Sequence, residues 1–311
     1  MSCQEFLLQS IGMSHHRLFT TSLFIGYMVL MTTVMVWQGI EITPDRYLFV
    51  LLIPTFFINR IRNFLFDWTP FLFILIAYDF LRGFADLLTA RVHYQEMIDF
   101  DFLMFGTIPS IKLQQWFFNP MQSSWYDYLF TVLYFLHFAL PLAFGYILWL
   151  NNRSYFKQFV TGLLLLTYTS LLTYVIYPAA PPPVAQEQGY LQGVHKVLNQ
   201  TLSTFPDRWD IPNLYHSFNP NHVAAVPSLH AAFPFLIFLF SVKFFNTKGL
   251  AFVFYPITMW FAVVYLGEHY VFDVILGVIY ALLAFVITNQ VLHNPKLKPY
   301  LLYPFQLLRL R

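Results

Sequence analysis

Apolar residues in this chain form long runs separated by short polar segments, a pattern typical of transmembrane helices. Several runs approach the ~20 residues that a helix needs to cross the hydrocarbon layer of a bilayer. The pattern predicts spans at about 18–40, 47–59, 69–88, 125–150, 158–177, 225–243, 249–266 and 271–292. The second run is short and contains Pro54, so it either crosses the bilayer or lies within its interface. The sequence therefore predicts an all-α polytopic membrane bundle of about eight spans.

Composition supports a membrane protein and excludes other classes. Of the 311 residues, 58% are apolar and 10% are charged, whereas soluble domains carry about 25% charged residues. The formal net charge of +2 does not favour nucleic-acid binding, which requires a concentrated basic surface. Cys3 is the single cysteine, which excludes an intrachain disulfide and a cysteine metal cluster.

The distribution of lysine and arginine predicts the orientation of the chain. If the N-terminus is cytoplasmic, eleven of the 17 Lys and Arg residues fall on the cytoplasmic side, as the positive-inside rule requires. We expect N-terminal membrane segments over 1–66, a six-helix catalytic membrane domain over 67–293 and a basic cytoplasmic tail over 294–311. The long loops at about 89–124 and 178–224 then lie on the extracytoplasmic side, and the short stretch Ile111–Trp116 is predicted to lie in the interface there. We expect the membrane to be a bacterial plasma membrane.

The first candidate motif is Val226-Pro-Ser-Leu-His230, at the start of an apolar span. Proline suits the first turn of a helix, and free backbone amides at a helix N-terminus bind anions. The motif therefore predicts a phosphate-binding role for the amides of Ser228 and Leu229, with His230 placed to donate a proton. Taken alone, a histidine at the start of a helix is more often a plain interfacial or core residue.

The second candidate motif pairs His269 with Asp273, four residues later, so that both side chains share one face of a helix. A carboxylate in this position can hold the proton on one ring nitrogen and leave the other nitrogen free to attack. A buried ion pair or a helix cap is the structural alternative. The pair lies at the edge of a span, where ionisable groups are costly and usually functional.

The predicted topology brings the two motifs together. The spans beginning at 225 and 249 run antiparallel, so His230 and His269 reach the same membrane face. An anion site, an oriented nucleophile and a proton donor are the groups that phosphoryl transfer requires. The sequence therefore predicts a phosphotransfer site with His230, His269 and Asp273 as its catalytic residues.

The order of these motifs resembles the type 2 phosphatidic acid phosphatase superfamily, whose members carry Pro-Ser-x-His followed by His-x-x-x-Asp. The resemblance covers about 69–292 and implies a core of six transmembrane helices. It also implies that His269 forms a phosphohistidine, that Asp273 orients His269 and that His230 protonates the leaving group.

Two departures from the superfamily pattern narrow the expected substrate. Its lipid phosphatases carry a lysine and an Arg-Pro pair in their first motif, where this chain has Thr173–Pro181 without a cation, and a Ser-Arg pair where this chain has Ala262 and Val263. The Tyr-Pro-Ala-Ala-Pro-Pro run and the Val-Tyr-Leu-Gly-Glu-His-Tyr-Val-Phe-Asp segment instead resemble the inositol phosphorylceramide synthase branch. Those enzymes pass a phospho-alcohol head group from a glycerophospholipid to another lipid alcohol. A phosphate monoester is nearly a dianion at neutral pH, so fewer cations suit the singly charged diester.

Other cations could still contact the phosphate. The candidates on the predicted extracytoplasmic side are Arg82, Arg91, Lys112 and Arg208. Arg82 and Arg208 join Ser228 and Leu229 as our phosphate-binding candidates. An ordinary interfacial or ion-paired role is the alternative for each of these four cations.

The main hypothesis is a lipid phosphotransferase that needs no cofactor or metal and uses a lipid phosphoester and a lipid alcohol acceptor. A lipid phosphatase of the same superfamily, with water as acceptor, is the nearest alternative. A metal-dependent hydrolase could use His230, His269, Asp273 and Glu268 as ligands. A transporter is the fourth hypothesis, because intramembrane ionisable residues also line substrate paths.

Overall fold

The protein is all-α, as its apolar pattern predicts. The computed structural model describes residues 22–35, 37–38, 44–85, 91–137, 139–205 and 221–294. The helices are α1 Ser22–Met35, α2 Pro44–Phe57, α3 Ile61–Ala85, α4 Gln95–Phe105, α5 Pro109–Phe117, α6 Trp125–Phe135, α7 Ala139–Asn151, α8 Arg153–Ile176, α9 Pro182–Glu187, α10 Val197–Ser203, α11 Leu229–Phe245, a 3-10 helix Asn246–Val253, α12 Phe254–Tyr265 and α13 Val271–His293. Within these ranges, strand pairing is limited to isolated bridges of Ala179 with His93 and Ala224.

Several helices are long and apolar enough to cross a bilayer, so the chain is an integral membrane protein. Four such stretches occur in the described residues, or five if the bent pair α6–α7 forms one span. They are Ile61–Gly83, Arg153–Ile176, Leu229–Tyr265 and Val271–Val291. The predicted segment 47–59 corresponds to α2, which has 14 residues. At ~1.5 Å per residue α2 is about 21 Å long, which is less than the ~30 Å hydrocarbon layer.

The stretch Leu229–Tyr265 is an antiparallel hairpin. Its chain reverses at the 3-10 helix, where Asn246 has a φ of +53° and Gly249 lies against the backbone of Ser241. A Cβ atom on Gly249 would be 2.2 Å from the Ser241 carbonyl oxygen, so only glycine permits this approach. The indole of Trp260 then donates to the Ala231 carbonyl at 3.1 Å. Helices α11 and α12 are thus antiparallel neighbours, as predicted.

The predicted span 125–150 is broken. Helix α6 ends at Phe135, helix α7 begins at Ala139, and their axes differ by 59°. The N–H of His137 donates to the Tyr134 carbonyl at 3.2 Å, which closes a tight turn at the break. Apolar residues continue through this region of the sequence, so hydropathy alone does not reveal the bend.

The remaining loop predictions divide between the described and undescribed parts of the chain. Ile111–Trp116, predicted as a short interfacial helix, lies in α5. The predicted tail after Asn294 and the first 21 residues lie outside the described residues. The domain boundaries proposed from the sequence therefore stay predictions.

Candidate active site

The carboxylate of Asp273 fixes the orientation of His269 at the start of α13. Asp273 Oδ2 lies 3.1 Å from His269 Nδ1 and accepts the Tyr270 N–H at 3.0 Å. Asp273 is fully buried and His269 is 6% exposed. The two side chains are in contact, but they do not share one face of a helix as the spacing predicts. Helix α13 begins at Val271, so His269 precedes it, and the contact forms at the helix N-terminus, where Asp273 is the third helical residue. Because Asp273 meets Nδ1, the other ring nitrogen, Nε2, is directed away from it.

The turn that carries His269 is clamped by Gln114 of α5. The amide of Gln114 donates to the carbonyls of Tyr265 at 2.9 Å and His195 at 2.8 Å, and its oxygen accepts the His195 N–H at 2.8 Å. Gly267 has a φ of +78°, and a Cβ atom there would lie 2.7 Å from the His195 oxygen. Both the backbone angle and the close contact require glycine at this position.

Asp101 of α4 caps the helix that follows His269. Its two carboxylate oxygens accept the N–H groups of Val271 and Phe272, each at 3.0 Å. Burial raises the pKa of Asp101 to about 6, and the nearby Asp273 adds to this rise, whereas the two N–H bonds oppose it. The sequence does not predict this role, because no pattern links position 101 to position 271.

Ser228 is the N-cap of α11, and its Oγ accepts the Ala231 N–H at 3.3 Å. Its own N–H donates to the Asp273 carbonyl at 3.1 Å, so the expectation of a free Ser228 amide is corrected. The cause is the close packing of α13 against the start of α11. A Cβ atom on Gly277 would lie 2.4 Å from the backbone carbonyl oxygen of Ser228. Leu229 lines the cavity, and no described residue accepts its backbone N–H.

The rings of His230 and His269 face one cavity. Their centroids are 5.7 Å apart, with an angle of 52° between the ring planes. The cavity has a volume of about 60 Å³, which is room for a few water-sized groups. Its described lining comprises Arg82, Tyr134, His137, Tyr174, Pro181, Asn221, His222, Ala224, Ala225, Leu229, His230, Glu268 and His269.

Of the candidate cations, Arg82 lies at this cavity. It is the one lysine or arginine that lines the cavity among the described residues, and Asn221 donates to its carbonyl at 3.3 Å. Arg91 and Lys112 do not line the cavity, and the Lys112 amine lies over the ring of Trp116. Arg208 lies outside the described residues.

The positions that replace the superfamily cations are packed into the protein. Thr173, in place of the lysine of the first motif, is partly buried, and its Oγ1 lies 2.7 Å from the Tyr280 hydroxyl oxygen. Ala180, in place of the arginine of that motif, and Val263, in place of the arginine of the Ser-Arg pair, are both fully buried. A cation could not be substituted at Ala180 or Val263 without a large desolvation cost.

Several lining residues were not among the sequence-based candidates. Tyr134, His137, Tyr174 and Asn221 come from three separate segments, and their polarity within or beside apolar runs was the available signal. In the described part of the chain, no group of three or more His, Cys, Asp or Glu side chains is arranged to hold a metal ion. The metal-dependent alternative therefore has no geometric support among these residues.

Comparison with known proteins adds independent information. The profile of the PAP2 superfamily matches residues 101–287. The chain is also 24% identical over 226 residues to a phosphoinositol dihydroceramide synthase of Bacteroides thetaiotaomicron, an alignment that covers 70% of this chain and 74% of that protein. No solved structure matches the chain significantly.

Proposed function

Because the chain belongs to the PAP2 superfamily and is an enzyme that acts on lipid phosphoesters, we propose that it transfers a phospho-alcohol head group from one lipid to another. The superfamily match and the similarity to a synthase support phosphotransfer or hydrolysis of lipid phosphoesters. Transfer to a lipid alcohol is our more specific proposal.

The low number of cations at the cavity is the observation that carries this proposal. Arg82 is the one lysine or arginine in the described lining, and two of the positions equivalent to superfamily cations hold buried Ala180 and Val263. A monoester dianion would need more positive charge than a diester monoanion. A phospholipid with an alcohol on its phosphate is therefore the better substrate.

In the first half of the proposed reaction, His269 is the nucleophile. Asp273 holds the proton on Nδ1, so Nε2 carries the lone pair that attacks phosphorus. The bond from phosphorus to the glycerol oxygen breaks, and that oxygen takes a proton from the His230 imidazolium. Diacylglycerol leaves, and the phospho-alcohol group stays on His269 through a P–N bond.

In the second half, His230 acts as the general base. The neutral imidazole takes the proton of the acceptor hydroxyl, whose oxygen attacks phosphorus as the P–N bond breaks. The product is a new phosphodiester, and His230 is again protonated. We propose that the Leu229 amide and Arg82 hold the phosphate oxygens in both halves, as a helix N-terminus and a guanidinium can.

The similar protein suggests which substrates to try first. Its name specifies phosphoinositol as the head group and dihydroceramide as the acceptor, so phosphatidylinositol and dihydroceramide are the first pair for this chain. The lysine and arginine distribution supports a site that opens to the extracytoplasmic side.

A transfer assay tests the proposal. Protein purified in detergent is incubated with phosphatidylinositol labelled in its head group, with and without dihydroceramide, and the lipids are separated. We expect label in a new sphingolipid when the acceptor is present, and no such product from His230→Ala, His269→Ala or Asp273→Asn. Release of water-soluble inositol phosphate regardless of the acceptor would indicate a hydrolase instead.

Arg153→Gln provides a matched control for these variants. Arg153 lies at the end of the bundle away from His230, where it forms an ion pair with Asp67. It should retain transfer activity, so that loss of activity in the histidine variants is attributable to the site.

A further inference from the structure

The imidazole of His230 is covered on both faces by other rings. Its centroid lies 4.0 Å from that of Tyr134, at an interplanar angle of 14°, and 4.0 Å from that of His137, at 26°. Two rings stacked this closely could not share one face of an imidazole, because their own atoms would overlap. Tyr134 and His137 therefore lie on opposite faces of His230.

The stack continues beyond His137. The ring of Phe233 lies 4.8 Å from that of His137, at an angle of 10°. Tyr134 and His137 come from the break between α6 and α7, whereas His230 and Phe233 come from α11, so the two segments contribute alternate rings. Tyr134, His137 and Phe233 are all at most 8% exposed. A close-packed column of this kind restricts rotation of each ring.

We propose that Tyr134 and His137 are positioning residues that fix the ring plane of His230, and that the Tyr134 ring also stabilises the protonated form of His230. This inference rests on the proposed function, in which His230 alternates between imidazolium and imidazole. A cation against the face of a tyrosine ring is attracted by that electron-rich face. With both faces covered, the ring edge is the part of His230 that meets the cavity and exchanges protons there.

Both rings that flank His230 come from the C-terminal end of α6. Tyr134 lies in its last turn and His137 in the turn that follows, which is closed by the His137 N–H bond to the Tyr134 carbonyl. The chain then continues into α7 with a 59° change of axis.

Other titratable groups also surround His230, and a pH experiment must separate them from the ring faces. Those lining the same cavity are Arg82 of α3, Tyr134 and His137 of the α6–α7 break, Tyr174 of α8, His222, Glu268 and His269, with Asp273 of α13 behind His269. Substitution of His137 by leucine removes both a ring face and a titratable group. Substitution by phenylalanine removes the titratable group alone, so the two variants distinguish the effects.

The test compares the pH dependence of kcat and KM for transfer in Tyr134→Leu, His137→Leu, Tyr134→Phe and His137→Phe. We expect the leucine variants to lose about 10- to 30-fold in kcat, with a smaller change in KM. In Tyr134→Leu the alkaline limb, where His230 loses its proton, should also move to lower pH. The phenylalanine variants should stay within about threefold of the unsubstituted enzyme and keep its pH profile.

Tyr155→Leu is the matched control for loss of a ring stack. Tyr155 stacks on Phe244 at 4.1 Å and 6°, and it lies roughly 28 Å along α8 from Tyr174. Thermal unfolding in detergent is measured for every variant. Tyr155→Leu should lower stability without moving the pH profile.

A Tyr134→Leu variant with the pH profile of the unsubstituted enzyme would overturn the inference, even if its kcat were lower. A loss of kcat in His137→Phe as large as that in His137→Leu would also overturn it, because loss of the titratable group would then explain the effect. His230→Ala is assayed in parallel. If that variant retains full transfer, the proposed function fails; if it is inactive while the leucine variants behave normally, the inference about the column fails alone.

Discussion

The two ends of the helical bundle both contain buried polar side chains, but they arrange them in different ways. At the end away from His230, Asp67 accepts the Trp149 indole N–H at 2.8 Å and the Arg153 Nε–H at 2.5 Å. The ammonium group of Lys243 similarly donates to the Gln158 oxygen at 2.7 Å. Each charge there is surrounded by protein groups that neutralise or hydrogen-bond it.

At the other end, polar side chains face a cavity. His230, His269 and Arg82 line this space from three different elements, and Asp273 lies behind His269. A closed cluster stabilises the helices that it joins, whereas groups arranged around a cavity can act on a molecule that enters it. Substitution of a polar residue in the closed cluster should therefore lower stability and spare activity. Substitution of a polar residue at the cavity should lower activity and spare stability.

Removal of the proposed nucleophile should have the largest effect. His269→Ala should lower the rate of transfer by about 10⁴-fold, because no other described imidazole is paired with Asp273. Its midpoint of thermal unfolding should change little. Transfer measured with labelled donor lipid provides the check, and a loss of under tenfold would contradict the assignment.

Displacement of the catalytic segment should have the next largest effect. Gly277→Ala places a Cβ atom 2.4 Å from the backbone carbonyl oxygen of Ser228. Helix α13 must therefore move away from α11 and carry Asp273 with it. A shift of this kind can cost about 10- to 100-fold in kcat. Gly145→Ala is the control, since its Cβ atom would meet its nearest neighbours at 3.7 Å. Equal activity of the two variants would argue against close packing at Gly277.

Disruption of the closed cluster should affect stability and leave activity intact. Asp67→Asn removes the charge that Arg153 and Trp149 share. We expect a loss of about 1–3 kcal/mol in the free energy of unfolding, because Asp67 is buried and Arg153 is partly exposed. Unfolding in denaturant measures this loss. A fall in kcat without a loss of stability would contradict the proposed difference between the two ends.

The smallest expected effect is the contribution of Asp101 to the pH dependence of the free energy of unfolding. Its folded-state pKa of about 6 lies above the ordinary value for an aspartate. The associated stability is therefore fully present below the unfolded-state pKa and is lost as the pH rises through about 6. Asp101→Asn should remove this contribution, on the order of 1–2 kcal/mol. The free energy of unfolding is measured between pH 4 and 8. If it depends on pH in the same way in Asp101→Asn as in the unsubstituted protein, Asp101 is not responsible.

Hydropathy and spacing were sufficient to predict the bundle and the convergence of its two motifs. Apolar runs specify helices, the turn between α11 and α12 reverses the chain, and His269 and Asp273 are only four residues apart at one helix N-terminus. These are local features, each contained in one helix, one helix end or one hairpin. The sequence could therefore indicate their arrangement without knowledge of the other helices.

Contacts between distant segments could not be predicted in the same way. Tyr134 and His137 meet His230 across nearly a hundred positions, and they lie next to a bend that hydropathy does not reveal. The Ser228 amide is occupied because α13 approaches closely at Gly277. Such details depend on how helices pack, and no short motif encodes them.

Detection of the covalent intermediate tests the central claim most directly. The purified protein is mixed with a phosphodiester lipid labelled at phosphorus and quenched in alkaline detergent, under which P–N bonds of histidine persist, and label on the protein is located by peptide mass. The account predicts phospho-alcohol on His269, its absence from His269→Ala and its disappearance when the acceptor lipid is added before the quench. Active transfer with no label on His269, or label that survives in His269→Ala, would contradict it.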